Sequence, residues 1–408
     1  MKILLINKYH YLKGGAERAY LDMGEILTKA GHEVAYFSMQ DHRNRETPWS
    51  WYFVSSVDYH GTQNLWKKFC LSVRILWNSE ANRKLQELID EFQPDIAHAH
   101  NIYHQISPSI FHVLKKNQVP IVLTLHDYKI VSPSYTLFNR GRIWEHSSGV
   151  RAILDRVVDG SYGKSLICAC EQWIHTLLGS YRLVDALVSP SQFLADECHK
   201  LGLKQDIQVI PNPLLHIPKG SEEKIKGKIV FVGRLSFEKG VDVLIRAFAY
   251  GLESKMLHII GDGPERKSLE NLVLELHLEE KVVFHGALYG SDLDKEVLSA
   301  EALVVPSIWY ENLPYVVTEN QAREVVVIAS QSGGIVERID HGVDGMLFPM
   351  GNSKALYQAL DQLESLDLKV MRQIAGQAVV DLTPEIFLEK LEALYRDILT
   401  KKKIKKQS

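Results

Sequence analysis

The stretch from residue 302 to 345, ALVVPSIWYENLPYVVTENQAREVVVIASQSGGIVERIDHGVDG, leaves a chain like this few folds to choose from. It begins with a short apolar, β-branched run ending at Pro306 and passes through a loop carrying Glu311. A helix-compatible segment follows from about Pro314, and it carries Glu319. A second apolar run, Val325 to Ala329, leads to Gly333-Gly334 and to another helix-compatible segment near Ile335. Strand, loop, helix, strand, glycine loop, helix is the order of an open parallel α/β sheet. Such a sheet binds ligands at the carboxyl ends of its strands. Glu311 and Glu319 are eight positions apart, a little over two helical turns, so both can face one site. Glycines at a helix start leave backbone N–H groups free to meet an anion.

The same pattern recurs along the chain. KILLIN (2–7) reads as a buried strand, followed by a loop with Gly14-Gly15, a helix from Ala16 to Ala30 and a strand from Val34 to Ser38. Further strands are expected at 94–99, at 120–125 with His126-Asp127 at its end, at 184–189 and at 207–210. Residues 214–227 have the composition of a linker. KIVFVGRLSFEKG (228–240) restarts the pattern, with Arg234 at a strand end and Lys239 just before a helix. Two cations so placed suit a diphosphate and the charge it gains as a leaving group.

Length and composition narrow the functions. A chain of 408 residues favours two domains, expected at 1–213 and 222–382, with a helix over 383–400 returning to the first and a basic tail at 401–408 taken as unstructured. The 47 Lys and Arg against 50 Asp and Glu create no basic field that would recruit nucleic acid. No apolar run reaches the ~20 residues of a membrane span, and MKILLIN lacks the features of a signal peptide, so the expected location is the cytoplasm. Cys70, Cys168, Cys170 and Cys198 lack zinc-ligand spacing and read as structural. His98, His100 and His104 are expected to line a polar cleft rather than hold a metal. Residues 64–92 read as an amphipathic helix with basic positions; together with the tail it offers a peripheral contact with anionic membrane, although a solvated connecting helix is the plainer reading. The absence of G-x-G-x-x-G near the N-terminus argues against a nicotinamide enzyme.

Glu311, seven intervening residues and Glu319 within ENLPYVVTEN, followed by ASQSGG and ERIDHGVDG, resemble the donor-sugar motif of retaining GT-B glycosyltransferases, especially the large fourth family. The resemblance runs over nearly the whole chain. It implies two Rossmann-like α/β domains facing each other across a cleft, the donor nucleotide mainly on the second and a glycan or lipid-linked acceptor on the first. It further implies that Arg234 and Lys239 bind the donor diphosphate, that Glu311, with Asn312 and Leu313, meets the donor sugar, and that Glu319 meets the ribose. His126 matches a sugar-positioning histidine, Gly15 lies near the donor phosphates, and the main chain at His285-Gly286 meets the nucleobase. The implied reaction transfers a sugar from a nucleotide diphosphate donor to an acceptor hydroxyl with retention, as in cell-surface polysaccharide or glycolipid synthesis. It needs no metal and no cofactor, because the nucleotide sugar is a substrate. Asn320 and Glu324-Val325-Val326 depart from the small residue and Gly-x-Pro usual in that family, which bears on the helix-to-strand turn. A nucleotide-sugar epimerase of the same fold, or an inactive nucleotide-sugar binder, stays open as an alternative.

Overall fold

The computed structural model describes residues 1–56, 72–215 and 222–407. The chain divides into two compact units. One comprises Met1–Asn139, Trp144–Pro213 and Pro384–Ser408; the other comprises Arg140–Ile143 and Leu214–Thr383.

In chain order the strands before residue 214 are β1 (Lys2–Ile6), β2 (Glu33–Phe37), β3 (Ile96–Ala99), β4 (Ile121–Thr124), β5 (Phe138–Asn139), β6 (Arg142–Ile143), β7 (Ala186–Ser189) and β8 (Ile207–Val209). Six of them form one parallel sheet ordered β2-β1-β3-β4-β7-β8. The strands are short apolar runs covered on both faces, as parallel sheets require, and Ile3, Leu4, Ile121 and Val122 have no exposed surface.

The second unit holds β9 (Lys228–Val232), β10 (Met256–Ile260), β11 (Val282–Gly286), β12 (Ala302–Val305), β13 (Val326–Ser330) and β14 (Gly345–Phe348). They form a parallel sheet ordered β11-β10-β9-β12-β13-β14. Alternate residues feed two cores, Ile229, Phe231 and Val304 on one face and Val230, Leu303 and Val305 on the other. The strand order reverses between β9 and β12, so the ends of those two strands flank the crevice where a doubly wound sheet binds its ligand.

Several expectations are corrected. The helix read over 64–92 is interrupted at Trp77-Asn78: helical turns at 72–76 end there, and the Asn78 side chain accepts from Ala81 N at 3.0 Å to start a new helix, Ser79–Phe92. Positions 57–71 of that reading lie outside the described residues. The tail taken as unstructured continues the helix Pro384–Gln407. The helix expected after Gly333-Gly334 is a 3₁₀ turn, Gly333–Glu337. His98 and His100 line no cleft, for both are fully buried. The last helix is anchored by Tyr395, whose hydroxyl lies 2.6 Å from His98 Nδ1, and by Glu392, 2.8 Å from His32 Nε2.

Candidate active site

At the end of β9 the backbone turns through Gly233 into Arg234, and a 3₁₀ turn, Phe237–Lys239, precedes the helix Val241–Phe248. At the end of β12 the chain passes Pro306 and Ser307 to reach Glu311. These loops meet: Lys239 Nζ lies 2.7 Å from Glu311 Oε1 and 5.2 Å from the centroid of the Trp309 ring. The Ser307 hydroxyl donates to the same carboxylate oxygen at 2.7 Å. Burial alone would raise the Glu311 carboxyl. The Lys239 ammonium, with the hydrogen bonds from Lys239 and Ser307, outweighs it, so the group is held below its usual value and stays ionised. Arg234, by contrast, is exposed, and no ion pair or hydrogen bond engages its guanidinium among the described residues. One cation is therefore held by a carboxylate while the other faces solvent beside it in sequence.

The loop around Glu311 is fixed by its backbone. Ser330 Oγ donates to the Ser307 carbonyl at 2.6 Å, and Ser332 Oγ donates to the Trp309 carbonyl. Gly334 N donates to the Glu311 carbonyl at 2.7 Å. Gly333 has φ +58°, and a Cβ there would lie 2.0 Å from that same carbonyl oxygen, so only glycine fits. Leu313 is buried, Asn312 is partly buried, and Pro314 leads into the helix Tyr315–Ala322. Glu319 on this helix is partly buried, with its carboxylate 3.6 Å from Arg323, which in turn lies 3.1 Å from Asp294. At the end of β11 the Gly286 carbonyl accepts from Gly261 N at 2.7 Å, and the His285 ring meets His258, Nε2 to Nδ1, at 3.0 Å.

The remaining two predicted residues belong to the first unit. Gly15 is the first residue of the helix Gly15–Lys29 and is exposed. His126 follows β4, partly buried, and its Nε2 lies 2.9 Å from His100 Nδ1. The ring centroids are 5.1 Å apart, so the nitrogens point at each other and one proton serves both. Burial, with Lys8 nearby, lowers the His126 imidazole to about 4, which keeps it neutral near pH 7.

The chain was compared with known proteins. The pattern of the family Glycosyltransferase Family 4 matches residues 13–214, and that of Glycosyl transferases group 1 matches residues 216–378. An uncharacterised glycosyltransferase of Methanocaldococcus jannaschii is 38% identical over 90% of this chain and 89% of its own length. The chain belongs to the group 1 glycosyltransferases. A lipopolysaccharide core biosynthesis glycosyltransferase of Rhizobium meliloti is 25% identical over 56% of this chain and 67% of its own. The crystal structure of Anabaena HepE in complex with UDP superposes with a TM-score of 0.69 over 97% of this chain and 100% of the other, at 18% identity, a likeness of GT-B fold.

In this glycosyltransferase the departures at Asn320 and Glu324 have a structural answer. Asn320 Nδ2 donates to the Val316 carbonyl at 2.6 Å, within its own helix. Glu324 takes φ +54°, the left-handed conformation a glycine would adopt without strain, and Val325 N still closes the turn on the Asn320 carbonyl at 2.9 Å. The turn is kept and the strain is accepted. Sequence reasoning missed Ser307, Trp309, Ser330 and Ser332, which hold the Glu311 loop, and the contact by which His100 holds His126. The only signal for them is position, since each lies at or just beyond a strand end.

Two clusters combine metal-ligand types: His258 and Glu296 with the predicted His285, and His104 with Cys168 and Glu171. In each a lysine already supplies the cation. Lys228 Nζ lies 2.7 Å from Glu296, and the buried Lys129 Nζ lies 2.8 Å from Glu171.

Proposed function

We propose that this glycosyltransferase moves a sugar from a nucleoside diphosphate donor to an acceptor hydroxyl with retention of configuration, in the assembly of a cell-surface polysaccharide or glycolipid. The observation that carries the reading is the Lys239–Glu311 pair between the ends of β9 and β12, with the unpaired Arg234 at the same strand end. Arg234 supplies free positive charge for a diphosphate, and Lys239 supplies a second cation already oriented by Glu311. Together they stabilise the leaving diphosphate without a metal ion.

Glu311 has its Oε1 committed to Lys239 and Ser307, which suits it to accept a hydrogen bond from a donor-sugar hydroxyl rather than to attack carbon. With no carboxylate nucleophile assigned, retention follows from attack by the acceptor on the face the diphosphate leaves. Glu319 takes the ribose hydroxyls and His126, neutral and held by His100, orients the sugar. The cell-surface role is supported by the name of the Rhizobium relative.

The test is incubation with UDP-, GDP- and ADP-sugars and a panel of glycan and lipid-linked acceptors, in excess chelator, with the product anomer read by NMR. Acceptor-dependent release of nucleoside diphosphate, with the donor's anomeric configuration in the product, is the expected result. Donor turnover without acceptor, or an inverted product, overturns it.

A further inference from the structure

The helix Tyr162–Leu177 is amphipathic with its polarity reversed. Its inward side carries Ser165, Cys168, Glu171 and His175, all buried. Three of the side chains there are tied by specific contacts: Ser165 Oγ accepts from Val158 N at 3.1 Å, Glu171 Oε2 pairs with Lys129, and His175 Nδ1 meets Ser180 Oγ at 2.9 Å. The rotation of the helix is thus fixed by a buried ion pair and hydrogen bonds. Its outward side carries Tyr162, Leu166, Trp173 and Leu177, whose spacing of four, seven and four residues puts them on one face. Tyr162 is 53% exposed and Leu177 is 87% exposed.

A second helix widens the face. Gly149–Leu154 lies against the first so closely that a Cβ at Gly149 would fall 2.7 Å from Trp173 Nε1. It adds Val150, 59% exposed, and Leu154, 68% exposed. Apolar side chains of this size, contiguous and facing water, mark an interaction surface. The charges around them leave a positive surplus: Arg151 pairs with Asp155 at 3.5 Å and Lys164 with Asp159 at 2.7 Å, while Arg156, stacked on the Tyr162 ring, and Arg182 have no acidic partner among the described residues. Arg182, just past the end of the stripe, is exposed.

We propose that this face lies on a lipid bilayer containing anionic headgroups. The stripe is about 22 Å long, the length of a helix resting in the plane of the interface. Leucines would enter the acyl boundary, Trp173 and Tyr162 would take the headgroup level, and the cations would meet lipid phosphate. No described helix is long and apolar enough to cross a membrane, so the contact is peripheral. The residues that form the surface are other than those of the 64–92 reading and the basic tail, and the proposal does not depend on the donor chemistry proposed above.

The experiment is flotation of the full chain with vesicles of phosphatidylcholine alone and of phosphatidylcholine with phosphatidylglycerol, for the wild type, Trp173→Ser, Leu177→Ser and the tail variant Lys402→Ser. Equal thermal unfolding midpoints establish that the variants are folded. The wild type is expected to float with the anionic vesicles, and its partition coefficient to fall about tenfold or more in Leu177→Ser and Trp173→Ser but not in Lys402→Ser. Equal flotation of wild type and stripe variants overturns the proposal, as does no flotation at all. A concentration-dependent dimer in sedimentation that Leu177→Ser abolishes also overturns it, because the face would then belong to a second copy.

Discussion

Lys239 and Glu311, 72 positions apart in sequence, close an ion pair of 2.7 Å in which the carboxylate is buried and the ammonium is partly exposed. Removing the charge of the buried partner leaves Lys239 without its orienting group. Replacement Glu311→Gln is expected to lower kcat about a hundredfold, as loss of one preorganised electrostatic contact of ~3 kcal/mol does, while nucleoside diphosphate affinity changes little. Steady-state kinetics beside nucleotide titration check this. A variant that loses nucleotide binding with kcat intact would reverse the assignment.

The same pair has an acid signature. The Glu311 carboxyl is lowered from 4.5 in the folded protein, so the stability it contributes is present above pH 4.5 and is lost as pH falls through the lower folded value. Urea unfolding of the wild type between pH 6 and 3 should show that loss, and Glu311→Gln should lack that part of the slope. An identical pH dependence in both proteins contradicts the ion pair.

The strands that became β9, β12 and β13 were readable from their β-branched runs, and the placement of Arg234 and Lys239 at a strand end followed from the strand-loop-helix order. The Lys239–Glu311 contact was not, because it depends on β9 and β12 being neighbours although β10 and β11 intervene in sequence. His98 and His100 misled in the opposite sense. A polar residue in a strand suggests an open face, whereas tertiary partners inside the core, Tyr395 and Thr124, take both nitrogens of His98, and His126 takes Nδ1 of His100. The rotation of the helix Tyr162–Leu177 was not legible, because the buried Lys129–Glu171 pair decides it.

Buried imidazoles predict a second pH dependence. Burial lowers His10 and His126 from 6.5 to about 4 and His98 to about 3, with Arg45, Lys8 and His126 adding smaller effects to the three in turn. Each therefore contributes stability that is full above pH 6.5 and is lost as pH falls through the folded values. The urea midpoint should drop between pH 6.5 and 4, and His98→Gln should flatten the decline. A midpoint that holds steady over that window contradicts the burial of these groups.

Glu324 at φ +54° holds a conformation that costs a residue with a Cβ ~1 kcal/mol. Glu324→Gly should offset its own loss of chain entropy and raise the unfolding midpoint by roughly 2 °C, with transfer unchanged. Differential scanning calorimetry reads the shift. A lower midpoint means that the Glu324 side chain has a stabilising role greater than the strain.

Gly333→Ala tests the loop that carries Glu311. Its Cβ would meet the Glu311 carbonyl at 2.0 Å in a left-handed conformation, so the loop must move. Transfer is expected to fall strongly, with a loss of stability of a few kcal/mol. Wild-type kcat in this variant, measured with saturating donor, would show that the position of Glu311 is unimportant.

The central claim is that the strand-end cations of the second unit receive a nucleoside diphosphate. Isothermal titration of UDP, GDP and ADP in excess EDTA tests it most directly, with wild type, Arg234→Ala and Lys239→Ala compared. At least one nucleotide should bind the wild type without a divalent ion, and its Kd should rise by about a hundredfold in each variant, the equivalent of ~3 kcal/mol. Unchanged affinity in both variants, or binding that appears only when a divalent ion is restored, would contradict the account.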